Sequence, residues 1–428
     1  MTLIGVAVGL GNVWRFPYLV GKFGGAAFVV LYVAAVLLVG VPGLVAEFSL
    51  GRATRRGPVG AFAAAGFPGG RAVGWGLFVV VAAATGYYCT VIGWVGWFAV
   101  GEVFSVFGSD IAPALALPPD RGLSLASLLR QLLGTAFVIG TAGFVMHRGL
   151  RGGIERASRW IMPTLYLILL ILVARTVTLP GATAGIDWYI LKFSPGDITP
   201  PVLLAALGQA IFSMSLGGTF MVVYGSYLPD DARPTRLALT TAAGDTAAGL
   251  LAGLAIIPAV IALGLEPASG PGLLFGTLPQ VFARIPFGGW FGLLFFVGLF
   301  GAAWLSAVAA LEALVAGLTD NTTLTRGRAI VLMATTTWLL SIPPSVNMEI
   351  FVPWDLTFGS GMQTLGALLA ALAFGWSLKR ADALRQLVDA GAFAPWLYWW
   401  IRLGIPAAIL AVGLWWVATS LLGLTSGV

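Results

Sequence analysis

The stretch Gly9-Leu10-Gly11-Asn12-Val13-Trp14-Arg15-Phe16-Pro17-Tyr18 lies inside an apolar run, residues 1–20, and reads as a membrane helix that breaks midway. Each glycine weakens a helix by about 1 kcal/mol relative to alanine. Here Gly5, Gly9 and Gly11 are followed by the polar Asn12, then Arg15 and Pro17. A second apolar run, 201–227, is interrupted in the same way by Gln209, Ser213, Ser215, Gly217, Gly218 and Thr219. Aligned without gaps, Val8-Gly9-Leu10-Gly11 falls opposite Ser215-Leu216-Gly217-Gly218. Unwound backbone at mid-membrane is tolerated only where it lines a cavity or is buried in protein. Two such segments at matching places in two halves point to a binding site between repeats. Half-helix N-termini there can hold a carboxylate, and freed carbonyls can hold a cation. For either run alone the alternative is close helix contact through small residues; the pairing, with its buried polar groups, favours a site.

Composition supports a membrane setting. Of 428 residues, 59% are apolar and 9% charged, against roughly 45–50% and about 25% in a soluble domain. The 23 basic and 17 acidic residues cannot coat a soluble globule of this size, and mean hydropathy is +0.95. A cytosolic enzyme, a disordered tail and a secreted disulfide scaffold are excluded. Cys89 and His147 are each alone, which leaves no intramolecular disulfide, no thiolate cluster and no histidine metal site. The basic residues are scattered through short loops with no aromatic-basic patch, so the high isoelectric point does not signal nucleic acid. A membrane-embedded enzyme needs clustered His, Asp or Cys near an interface; none is visible, and the chain is read as no enzyme. No cleavable signal peptide is visible.

A helix crosses the hydrocarbon layer with about 20 residues. The sequence then predicts an all-α polytopic protein of about eleven spans, near 1–20, 25–51, 73–106, 127–146, 159–178, 201–227, 237–264, 290–318, 328–343, 350–377 and 395–423. Placing the 52–72 loop in the cytoplasm puts most basic residues there, among them Arg52, Arg55, Arg56, Arg148, Arg151, Arg326, Lys379 and Arg380. This asymmetry predicts a cytoplasmic N-terminus in the plasma membrane, and the odd span count an external C-terminus.

At this point the residues resemble a known family. The stretch Gly9 to Tyr18, followed by Gly24-Gly25-Ala26-Ala27-Phe28, Pro42 and Glu47, is similar to the opening of the neurotransmitter:sodium symporter family, whose bacterial members include the leucine transporter. The resemblance continues through Arg151-Gly152-Gly153-Ile154-Glu155, Gln209 to Gly218, and Asp355, over nearly the whole chain. It implies a single transporter domain, 1–428, with the leucine-transporter fold: inverted repeats of five spans at 1–178 and 201–378, broken spans one and six, and an added span at 395–423. It also implies sodium-driven amino-acid uptake by alternating access, with lipid as surroundings and a possible homodimer.

Carried over position by position, the first sodium site takes the Ala7 carbonyl, the Asn12 side chain, the carbonyl and hydroxyl of Ser213, and Asp245. Independently, a hard cation wants oxygen ligands, and an ionisable Asp245 in an apolar span is a functional hypothesis by default; the alternative is a neutral, hydrogen-bonded carboxyl. An acidic residue there implies that chloride is not required. The resemblance assigns the substrate carboxylate to backbone N–H groups around Gly9, Leu10 and Gly11 and to the Tyr88 hydroxyl; residue chemistry alone leaves Tyr87 equally eligible. Glu47 braces the unwound region, or balances Arg52. Arg15 and Asp355 close an outer gate, or snorkel to the headgroups.

The chain departs from the family in three places. The second sodium site, from Gly5, Val8, Ala302 and two hydroxyls on span eight, finds Leu305 and Ser306 where two hydroxyls are expected. Leucine cannot ligate sodium, so the site is weakened or rebuilt, with Thr85 or another oxygen as helper; one sodium, two, or partial proton coupling through Glu312 stay open. Ala84, Gly218 and Ala310 replace bulky wall residues, beside Phe212, Met214 and Ser215, which enlarges the pocket for a bulky hydrophobic or aromatic amino acid. Finally, only Met1 to Ala7 precede the break, and Asp320, the expected inner-gate acid, lacks its basic partner; either the start lies further upstream or the inner gate is incomplete. A non-transporting amino-acid sensor is the competing function.

Overall fold

The computed structural model describes residues 2–109, 113–149, 153–267 and 272–420. Met1, Arg151 and Gly152 fall outside the described residues. Among the described residues, eight helices are long and apolar enough to cross a membrane: Ala26–Thr54, Gly70–Val106, Leu125–His147, Glu155–Val177, Pro234–Ala262, Gly288–Asn321, Met348–Ser377 and Val388–Trp415. They coincide with expected spans two to five, seven, eight, ten and eleven. Span nine is the shorter helix Arg326–Leu340. Spans one and six are both interrupted. Span one runs Thr2–Ala7, then Gly11–Arg15 and Phe16–Phe23. Span six runs Pro200–Ser213, then Phe220–Ser226.

Local chemistry accounts for these boundaries. Pro17 sits in the first turn of Phe16–Phe23, where a missing N–H leaves nothing unsatisfied, and Gly24 ends the helix at φ +98°. Several loops contain helices too short to cross, which the search for 20-residue runs passes over. These are Pro58–Ala64, Ala182–Ile186, Leu278–Arg284 and Arg380–Gln386.

The apolar interior has two large parts. One joins residues of spans one, two, six, ten and eleven, including Phe16, Phe28, Phe48, Met221 and Phe374. The other joins spans three, four, five and eight, including Val91, Trp94, Leu165, Phe296 and Ala303, together with Val8, Leu10 and Val13 of span one. Span one therefore touches both, and its break lies where they meet. Within the first part, span two and the second half of span six approach backbone to backbone: a Cβ at Gly51 would strike the Val222 carbonyl, and one at Gly225 would lie 2.5 Å from the Phe48 carbonyl.

The arginine-rich end of the spans is tied by polar contacts. Arg52 donates from Nε to Gln386 at 2.5 Å and from NH1 to the Ala232 carbonyl. Asp389 accepts from Thr235 at 2.9 Å and from the Arg236 N–H at 3.1 Å, at the start of Pro234–Ala262. Arg55 reaches the Ser226 and Leu228 carbonyls and Asp230.

Candidate functional site

The two breaks are built differently and face each other. In span six, Ser215, Gly217 and Thr219 all have left-handed φ, at 54°, 77° and 59°, so the chain cannot continue as a helix between Ser213 and Phe220. The loop is held from two sides. Glu47 of span two accepts the Gly217 N–H at 2.6 Å, and a Cβ at Gly217 would strike the Gln363 carbonyl of span ten. In span one the break covers residues 8 and 9, and the Gly9 N–H donates to Asn12 Oδ1 at 2.9 Å. Gln209 spans the gap between the breaks, donating to the Gly11 carbonyl at 2.8 Å.

Asn12, Ser213 and Asp245 meet at this point. Asn12 Nδ2 lies 2.9 Å from Ser213 Oγ, 2.9 Å from the Asp245 carbonyl and 2.7 Å from Asp245 Oδ1. Ser213 Oγ donates to Asp245 Oδ2 at 2.6 Å. All three are buried, Asn12 and Asp245 completely. One amide –NH2 has two protons, yet three oxygens surround it. Asp245 has no Lys or Arg partner among the described residues. A buried carboxyl without a cationic side chain, in an excess of oxygen acceptors, is a donor set that fits a hard cation. The residues suit sodium far better than a transition metal: no group of three His, Cys, Asp or Glu converges among the described residues. Tyr32 of span two, which sequence reasoning missed, joins the set with its hydroxyl 3.5 Å from Asp245 Oδ2.

Beside this cluster lies a cavity of about 60 Å³ open to the centres of water-sized molecules, several times the space that one water centre needs. Of the residues named from sequence, Ala7, Gly9, Gly11, Ala84, Tyr88, Phe212, Ser213, Ser215, Ser306 and Ala310 line it. Leu10 does not; its side chain is buried in the second apolar part, but its N–H donates to the Tyr88 hydroxyl at 3.3 Å. A Cβ at Gly9 would lie 2.5 Å from that hydroxyl and 2.9 Å from Ser306 Oγ, so only glycine lets span one approach so closely. Gly218 is not on the lining either: the ring of Phe220 covers it and takes its place. Thr85 and Tyr87, both weighed from sequence, also line it, and Val6, Phe220 and Gln363 are lining residues that sequence reasoning missed.

The two adjacent tyrosines divide their work. Tyr88 serves the span-one break, whereas the Tyr87 hydroxyl faces the Asp355 carboxyl beside Gly359. Arg15 donates to Ser360 Oγ at 3.2 Å and stacks 4.3 Å over the Phe212 ring. No direct ion pair joins Arg15 to Asp355; both stand over the cavity through Phe212 and Tyr87.

Around Gly5 the donors are sparse. Ser306 donates to the Val8 carbonyl at 3.0 Å and the Val6 carbonyl at 3.3 Å. Leu305, Met162 and the Ser158 hydroxyl surround Gly5, and Ala302 is fully buried on the same face of span eight. Thr85 turns its hydroxyl back to the Val81 carbonyl of its own helix at 2.7 Å. Glu312 is held in a two-pronged pair by Arg326, at 2.9 and 2.7 Å, which commits its charge. Asp320 accepts the Gly57 N–H at 3.1 Å and so caps the short helix Pro58–Ala64.

Comparison with known proteins follows the same outline. The family model described as the sodium:neurotransmitter symporter family matches residues 1–108 and 123–422. The chain is 30% identical over 444 residues to an uncharacterized sodium-dependent transporter of Haemophilus influenzae, covering 96% of this chain and 95% of that one. It is 32% identical over 441 residues to the uncharacterized sodium-dependent transporter YhdH of Bacillus subtilis, covering 96% and 94%. Among solved structures, the crystal structure of MhsT in complex with L-phenylalanine matches with a TM-score of 0.86 at 32% identity, over 96% of each chain.

Proposed function

The chain belongs to the sodium:neurotransmitter symporter family, and on that premise we propose that it imports bulky hydrophobic amino acids, coupled to sodium at the Asn12–Ser213–Asp245 cluster. It is a multi-pass, sodium-dependent membrane transporter, not an enzyme, and it shares the leucine-transporter fold with MhsT. The observation that carries the finer reading is the contact between cluster and cavity: Ser213 belongs to both, and Gly11 and Phe212 adjoin Asn12 and Ser213 on the lining.

In this reading the cation brings a fixed positive charge that an amino-acid carboxylate completes. The Asn12 amide turns its Oδ1 from the Gly9 N–H toward the cation, replacing the Nδ2 that faces Asp245 without it, Ser213 adds its oxygens, and Asp245 balances the charge without chloride. The freed N–H groups near Gly9 and Gly11, with the Tyr88 hydroxyl, receive the carboxylate. Ala84, Ala310 and the Phe212 ring receive the side chain. The bound L-phenylalanine of MhsT supports a hydrophobic substrate. Arg15 and Asp355 close the outer side. Spans one, two, six and seven rock against the rest, with the N-terminus cytoplasmic.

The surroundings of Leu305 favour a single coupled sodium as the second reading. Beside Gly5, span eight supplies a methyl-bearing side chain where a ligating oxygen is needed, and the nearest hydroxyl comes from Ser158. Uptake of labelled L-phenylalanine into proteoliposomes tests the proposal. An inward sodium gradient drives accumulation that choline does not support; equal uptake under both would overturn sodium coupling.

A further inference from the structure

We propose that Phe220 sets the size of side chain that the cavity accepts, supplying from one position the bulk that Gly218 lacks at another. The proposal rests on the amino-acid reading above and deepens it. Sequence comparison alone suggests a cavity emptied at three wall positions, Ala84, Gly218 and Ala310. The structure shows two of these on the lining, with Phe220 there in place of Gly218.

The geometry explains the exchange. Thr219 has φ +59°, a left-handed conformation in a residue that rarely adopts one. It turns the chain between Gly218 and Phe220 and brings the Phe220 ring back over Gly218. The three atoms nearest a Cβ built at Gly218 all belong to that ring. Gly218 itself does not have positive φ. Its backbone would therefore accept alanine, and the obstacle is the ring. Phe220 also packs against Val223, Ala313 and Ala316, so spans six and eight both hold it. A ring that lines the cavity and is packed against two spans forms a firm wall against an apolar or aromatic side chain.

Because a small change in pocket volume shifts discrimination by about 10–200-fold, this wall is measurable. Competition binding by alanine, leucine, phenylalanine and tryptophan, with the full chain in sodium-containing detergent solution, reads the size preference. Phe220→Ala is expected to raise the tryptophan-to-leucine affinity ratio about tenfold or more. Gly218→Ala, which forces the ring into the cavity, is expected to lower that ratio. Combining the two restores the value of Phe220→Ala alone, because the clash needs the ring. Phe220→Leu gives a shift in the same direction should the alanine variant not fold. A ratio unchanged within about twofold in Phe220→Ala or Phe220→Leu overturns the proposal, as does a Gly218→Ala effect that persists without the ring. If the parent protein binds no member of the series, the amino-acid reading fails and this inference falls with it; retained binding with unchanged preference overturns this inference alone.

Discussion

Asn12 Nδ2 lies 2.7 Å from Asp245 Oδ1, although 233 residues separate the two in sequence. The contact joins the broken part of span one to the middle of span seven, and Ser213 brings in span six through both partners. Three segments thus meet on one group of oxygens. Removing one oxygen leaves the others buried without compensation. Ser213→Ala is expected to raise the half-saturating sodium concentration about tenfold, as loss of about 1.4 kcal/mol implies. Sodium titration of amino-acid binding checks this; an unchanged midpoint removes Ser213 from the cation site.

Gly9 is the tightest point of the cavity. Gly9→Ala forces a methyl against the Tyr88 hydroxyl and Ser306. Overpacking of this kind costs about 1–3 kcal/mol. We expect uptake to fall below a tenth of the parent rate while the protein still folds, measured by proteoliposome uptake beside thermal unfolding. Normal uptake would mean that span one does not approach Tyr88 during transport.

The Glu312–Arg326 pair is structural in this account. Glu312 is almost fully buried while Arg326 is partly exposed. Arg326→Gln leaves an unpaired buried carboxylate and is expected to destabilise the protein by about 2–3 kcal/mol. Glu312→Gln combined with Arg326→Gln recovers part of that loss. Thermal unfolding reads the stability, and sodium dependence stays unchanged in both. A changed coupling ion would instead make Glu312 part of the transport cycle.

Replacing chloride by gluconate is expected to leave uptake unchanged, because in the proposed site the Asp245 carboxyl supplies the negative charge beside the cation. A fall in uptake on chloride removal contradicts that role. In the same assay, unlabelled alanine competes less well than unlabelled phenylalanine.

The broken spans were legible because glycine and buried polar residues are costly in a membrane helix, and Gly9-Leu10-Gly11-Asn12 and Gln209 to Thr219 concentrate both. Asp245 was legible for the same reason, as an acid in an apolar run. Tyr32 and Gln363 were not: each is one polar residue on an ordinary-looking span, and only tertiary contact brings it to the site. Phe220 was hidden by backbone conformation. Sequence pattern places it on the helix that follows the break, and the left-handed turn at Thr219 returns it to the cavity. At the gate residues, Arg15 meets Ser360 and Asp355 faces Tyr87, partners that spacing along the chain does not reveal.

The central claim is that sodium binds through Asp245 and thereby holds the amino acid. The most direct measurement is the sodium dependence of L-phenylalanine binding to the purified protein, compared with Asp245→Ala. The parent protein is expected to bind phenylalanine only with sodium present, and the variant to need at least about tenfold more sodium for half-saturation. Binding that is independent of sodium in the parent, or a sodium midpoint that Asp245→Ala leaves in place, would contradict the account.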